Sequence, residues 1–155
     1  MQRRRLLMML APTLAWPGAW AEHGWKPYAD RPPIYLEGEV TIILWSDPHP
    51  HLELLQRRGA RVPPELARSV LRHRGPVDAA QLVGKSVPAP DTERTWRVEL
   101  PPLHRIVAWG MDRPKRGEVV GVIGLLGPPV AGTPAMQAEI LFTGDKGYPL
   151  RADPL

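Results

Sequence analysis

The chain has 155 residues, enough for one domain with a modest core and too few for two. It contains no cysteine, which excludes a disulfide framework and a lipid-modified cysteine. Its formal charge of +4 comes from 20 basic and 16 acidic residues, and Arg3, Arg4 and Arg5 supply most of the excess, so the balance argues against a nucleic-acid or membrane partner.

In chain order, the first expected element is an export signal. Three arginines are followed by the apolar run 6–10, Pro17-Gly18 breaks it, and Ala19-Trp20-Ala21 offers the small-x-small pattern cut by signal peptidase. Cleavage after Ala21 would remove residues 1–21 and make Glu22 the mature terminus of a periplasmic or secreted protein without a membrane anchor. Residues 22–33 read as an extended leader, because Pro27, Pro32 and Pro33 break a helix.

Residues 34–150 read as a β domain with a helical insertion at 57–93. The first strand places Ile34, Leu36, Gly38, Val40, Ile42 and Leu44 on an inward face, with Gly38 at a bend. Ser46-Asp47-Pro48 kinks the chain before a second strand over 51–55, completing a hairpin. In the insertion, Pro63-Pro64-Glu65 opens a helix that Gly75-Pro76 stops. A shorter helix over 77–83 ends at Gly84, and 86–92 is a linker back to the sheet. The region reads as a surface arm or lid.

A third strand over 95–100 points Trp96, Val98 and Leu100 to one side. Pro101-Pro102 opens a short helix expected to bury Leu103 and Val107 and to stop at Gly110. The fourth strand, 118–126, is apolar on both faces. In the fifth, Met136, Ala138, Ile140 and Phe142 alternate with Gln137, Glu139, Leu141 and Thr143, and a turn then leads to a short strand over 148–150. Three strands, a helix and two further strands is the order of a mainly β, OB-like five-stranded barrel, with its short helix between strands 3 and 4.

Four segments carry a family resemblance: His23-Gly24-Trp25, Tyr35-Leu36-Glu37-Gly38-Glu39-Val40, Trp45-Ser46-Asp47-Pro48-His49 and Trp96-Arg97-Val98-Glu99-Leu100. They resemble exported bacterial proteins catalogued as domain of unknown function 6152, over roughly residues 23–55 and 95–150, with the insertion similar to that of a longer subgroup. Members commonly carry two adjacent histidines before the glycine or serine and tryptophan, and asparagine-proline-histidine at the strand end. Here Glu22 and Asp47 stand in for the first histidine and the asparagine. The resemblance implies an exported small β domain and no particular activity.

The histidines carry the chemistry that can be read. His49 and His51 are two apart, so an extended segment projects both rings from one face, in register with Asp47 and Glu53. With the new amine at Glu22 and the ring of His23, they form a candidate copper or zinc set, Glu22, His23, His49 and His51. Set against this is a solvated hairpin tip. His73, between Arg72 and Arg74, reads as solvated surface. His104 falls near the barrel rim, where it could join Trp45 and Trp96 in a ligand groove.

No catalytic residue is indicated. Ser46 and Ser69 lack a nucleophile elbow, and Gly121, Gly124 and Gly127 lie within a strand rather than in a phosphate loop. The sequence therefore points first to a non-enzymatic module binding a small ligand, peptide or periplasmic protein on the barrel face covered by the insertion. A periplasmic copper- or other metal-binding protein is the second reading, and a metal-dependent enzyme the third.

Overall fold

Alternating apolar and β-branched residues form the longest early strand, β1 (Ile34–Leu44), in a computed structural model that describes residues 30–155. The expected cleavage point at Ala21, together with Glu22, His23 and most of the leader, lies outside the described residues. After β1 come β2 (His51–Gln56), α1 (Leu66–Ser69), β3 (His73–Arg74), α2 (Ala79–Lys85), β4 (Val87–Pro88) and β5 (Thr95–Glu99). The chain continues through α3 (Leu103–Ala108), β6 (Val119–Val130), β7 (Thr133–Thr143), β8 (Lys146–Pro149) and β9 (Asp153–Pro154).

β1 serves two neighbours. Its first half pairs antiparallel with β6, from Ile34↔Gly124 to Glu39↔Val119, and its second half pairs with β2, from Gly38↔Gln56 to Leu44↔His51. Gly38 sits where the partners change, and a Cβ there would lie 2.8 Å from the Leu55 carbonyl oxygen, so the strands can cross this closely only at glycine. β2 pairs with β5, β5 runs parallel to β7, and β7 returns antiparallel to β6. The ring β1-β2-β5-β7-β6-β1 is closed, which gives the OB-like five-stranded barrel expected from the strand order. Leu36, Val40, Leu52, Leu54, Trp96, Val98, Val122, Met136 and Leu141 fill it, and Ile106 of α3 joins them fully buried.

Two bulges correct the inward faces expected from strict alternation. In β1, Val40 pairs with Leu54 and Ile42 with Glu53, so Thr41 is an extra residue. Beyond it the faces exchange: Ile42 and Leu44 are 50% and 44% exposed, while Ile43 and Trp45 pack on the core. The Thr41 hydroxyl donates to the Glu53 carbonyl at 3.1 Å. In β7, Ile123 pairs with Ile140 and Gly124 with Ala138, which makes Glu139 the extra residue. Met136, Ala138 and Leu141 therefore face the barrel core, and Ile140 and Phe142 face outward into a second cluster.

That second cluster is roofed by the segment between β2 and β5. Ala79 and Val83 of α2 pack with Leu66, Val70 and Leu82 against Tyr35, Ile123, Ile140 and Phe142 on the outside of β1, β6 and β7. Asp78 caps α2 by accepting the Gln81 N–H at 2.9 Å, so the helix starts later than the sequence suggests and runs through Gly84 to Lys85. Part of the expected linker is a strand: β4 lies parallel to the start of β1, with Val87 N–H donating to Pro33 O and Ala89 N–H to Tyr35 O. Pro88 is accommodated between these two donors, because its own position supplies none to the pairing. In α3 the buried residue is Ile106, while Val107 is 69% exposed, a correction to the face read from the sequence.

Candidate functional site

An open cleft of about 710 Å3 lies at the barrel end where β1 and β5 finish. The β1–β2 loop contributes Pro48 and His49, the end of β5 contributes Glu99 and Leu100, and the approach to α3 contributes Pro101 and Pro102. His104 and Arg105 come from α3, Gln137 from β7, and Arg151 from the turn after β8. Asp47 joins two of these walls, since its carboxylate accepts the Leu103 N–H at 2.9 Å and ties the hairpin loop to the start of α3. That bond brings exposed His49 and exposed His104 to one cleft from positions far apart in sequence.

The floor around Arg151 is organised by the β7 bulge. Leu150 N–H donates to the Glu139 carbonyl at 2.9 Å, and the buried Glu139 carboxylate lies 2.9 Å from Arg151 Nε. Burial pushes the Glu139 carboxyl above its ordinary value, and the Arg151 charge opposes that shift only in part. Arg105 Nη2 donates to the Arg151 carbonyl at 3.0 Å and stands 3.6 Å from Asp153 Oδ1. Glu99 is 3.5 Å from Arg97 Nε, so the carboxylate in the wall has its counterion beside it.

The expected groove residues separate. His104 lines the cleft, but Trp96 is 2% exposed, and its indole N–H donates to Gln56 Oε1 at 2.8 Å. Gln56 Nε2 in turn donates to Pro90 O at 2.6 Å, and Arg94 lies 4.8 Å from the Trp96 ring centroid. Trp96 is thus a satisfied core residue and lines no groove. Trp45 is half-buried against the same core. The barrel face beneath the insertion is filled as well, with Ile123 and Ile140 fully buried there.

The metal face reads differently in three dimensions. His49 is exposed, whereas His51 is 8% exposed with its Nδ1 3.3 Å from the His49 carbonyl oxygen. Asp47 is committed to α3, and Glu22 and His23 lie outside the described residues. Among the described residues no three His, Cys, Asp or Glu side chains are grouped to hold a metal ion. His73, expected in solvent, is half-buried, with Nδ1 3.0 Å from Leu71 O and Nε2 2.9 Å from Val77 O.

Sequence reasoning did not single out Arg105, Gln137, Arg151, Glu99 or Glu139 for the site. They belong to no motif, and only barrel closure and the bulge bring them together. What fold and cleft define is an OB-like barrel with an open hollow of mixed polar and apolar lining beside its connecting helix. No family model, no curated protein and no solved structure matches the chain.

Proposed function

We propose that this protein is an exported binding module without catalytic activity, and that its ligand is a small polar molecule seated in the cleft between the β1–β2 loop and α3. The convergence of His49, His104, Glu99, Gln137, Arg105 and Arg151 on one hollow of about 710 Å3 carries this reading. The volume suits a metabolite-sized ligand. The walls are held by the Asp47 bond to α3 and by the Glu139–Arg151 pair, so little ordering is left to be done on binding.

The test is a small-molecule fragment screen followed by two-dimensional NMR. Ligands should move the resonances of His49, Glu99, His104 and Gln137 together; perturbations confined to other surfaces would refute the cleft. N-terminal sequencing of the protein recovered from the periplasm should begin at Glu22 and would establish export.

A second reading rests on the outer face of β1 and β2, where Ile42, Leu44 and Leu55 are exposed. A protein or peptide partner covering that face would shift those three residues instead. The copper or zinc reading now depends on the Glu22 amine and His23 reaching His49. A copper titration that is indifferent to His23→Ala and His49→Ala would refute it.

A further inference from the structure

Basic side chains outnumber acidic ones in the cleft lining. Two guanidinium groups, Arg105 and Arg151, and two imidazoles, His49 and His104, face a single carboxylate, Glu99. The acids that answer the two arginines are placed elsewhere. Glu139 is buried, with its carboxylate 2.9 Å from Arg151 Nε, and Asp153, 3.6 Å from Arg105, lies outside the lining. Glu99 is itself matched by Arg97, which is not part of the lining.

Given the cleft as the binding site, the reading on which this step rests, we infer that it binds its ligand through an anionic group, a carboxylate or a phosphate, held between Arg151 and Arg105 with His104 at its side. Three observations support this class. Glu139 pairs electrostatically with Arg151 at 2.9 Å from Nε, a nitrogen that makes no hydrogen bond, and among the described residues neither Nη nitrogen has a hydrogen-bond partner, which leaves both for a bidentate oxyanion. The Arg105 donation to the Arg151 carbonyl couples the two arginine segments, so their spacing is preset. Gln137 adds an amide donor from the neighbouring strand. A cation there would meet two guanidinium groups at close range.

The experiment titrates the purified protein with inorganic phosphate, with succinate and with the uncharged analogue succinamide, reading the ring resonances of His49 and His104 and the heat of binding. The fragment screen provides the parallel control. Succinate or phosphate should shift both rings saturably, and whichever binds more tightly identifies the source of the anion. Arg151→Lys, which keeps a positive charge on Glu139, should weaken binding about tenfold or more, because the forked contact is lost while the ion pair persists. His104→Ala removes an exposed ring without touching the core and should weaken binding less. Equal binding of succinamide and succinate would overturn the anionic class while leaving the cleft as the site. Fragments that occupy the cleft while both anions fail would do the same. If nothing perturbs the cleft, both the inference and the binding-site reading fall.

Discussion

Two buried polar side chains show how single residues hold this barrel. Gln56 is 4% exposed and satisfies Trp96 with its carbonyl oxygen and Pro90 with its amide nitrogen. Gln56→Leu keeps most of the volume but leaves the buried Trp96 indole N–H without its partner, while the exposed Pro90 carbonyl still accepts the Thr92 N–H at 2.7 Å. It should destabilise the protein by about 1–3 kcal/mol in urea unfolding, the cost of one orphaned buried donor. A loss below about 0.5 kcal/mol, ordinary for a surface change, would mean that water replaces Gln56. Glu139 behaves differently, because burial holds its carboxyl above the ordinary value of 4.5 despite Arg151. The folded state keeps that proton to higher pH than the unfolded chain does. This contribution to stability is therefore complete below pH 4.5 and is lost as pH rises through the raised folded value. Glu139→Gln removes this titration, so stability measured against pH should fall less steeply above 4.5 in the variant than in the natural protein. Parallel curves would show that Glu139 titrates as it does in the unfolded chain.

At the scale of elements, the barrel depends on bulges that alternation does not reveal. Thr41 is one residue too many for its ladder, opposite a partner strand that has none to match it. Deleting Thr41 would join Val40 directly to Ile42 and restore one-to-one pairing, with Ile43 still facing inward and Ile42 outward. The deletion should therefore fold, losing about 1–2 kcal/mol with the Thr41 hydrogen bond and the local twist. Deleting Ile43 instead should cost clearly more than deleting Thr41, because the core loses Ile43 and the strand end at Leu44 and Trp45 changes face. Circular dichroism melts of the two deletions decide the matter, and equal behaviour would refute the bulge account. The bulges also mark the limit of what the sequence reveals. Strand order, the helix between strands 3 and 4 and its stop at Gly110 were legible, since each has a local cause in alternation, proline or glycine. The outward turn of Ile42 and the inward turn of Leu141 were not, because a bulge is defined by the opposite strand. The cleft was legible in part. His49 and His104 stood out as histidines, while Arg151 and Gln137 acquire meaning only where the barrel closes. Trp96 looked available as a groove residue because its partner, Gln56, lies 40 positions away.

For the whole molecule, the question is whether the segment between β2 and β5 is an arm that can be removed or a wall. Its two ends meet, since Gln56 N–H donates to Arg94 O at 3.0 Å. A short glycine-containing turn could replace residues 60–90 without straining the barrel, so failure of such a chain would report on lost packing. The packing is substantial. Tyr35, Ile123, Ile140 and Phe142 lie under α1 and α2 at 7% exposure or less, and Val87 and Ala89 hydrogen-bond along β1. Uncovering four side chains of that size forfeits about 1.5–3 kcal/mol each, which together rivals the total stability of a small domain. The Tyr35 phenol adds a chemical mark of the cover: burial, reinforced by Glu37, pushes its pKa up to about 12. The excised chain should aggregate or bind a hydrophobic dye, and Ile123→Thr with Ile140→Thr should recover part of its solubility by making the bared face polar. A monomeric excised chain whose Tyr35 still titrates at about 12, with an unchanged melting temperature, would overturn the wall and restore the arm. The expected result instead makes barrel and insertion one cooperative unit with two cores, leaving the barrel end that holds the cleft open to ligand.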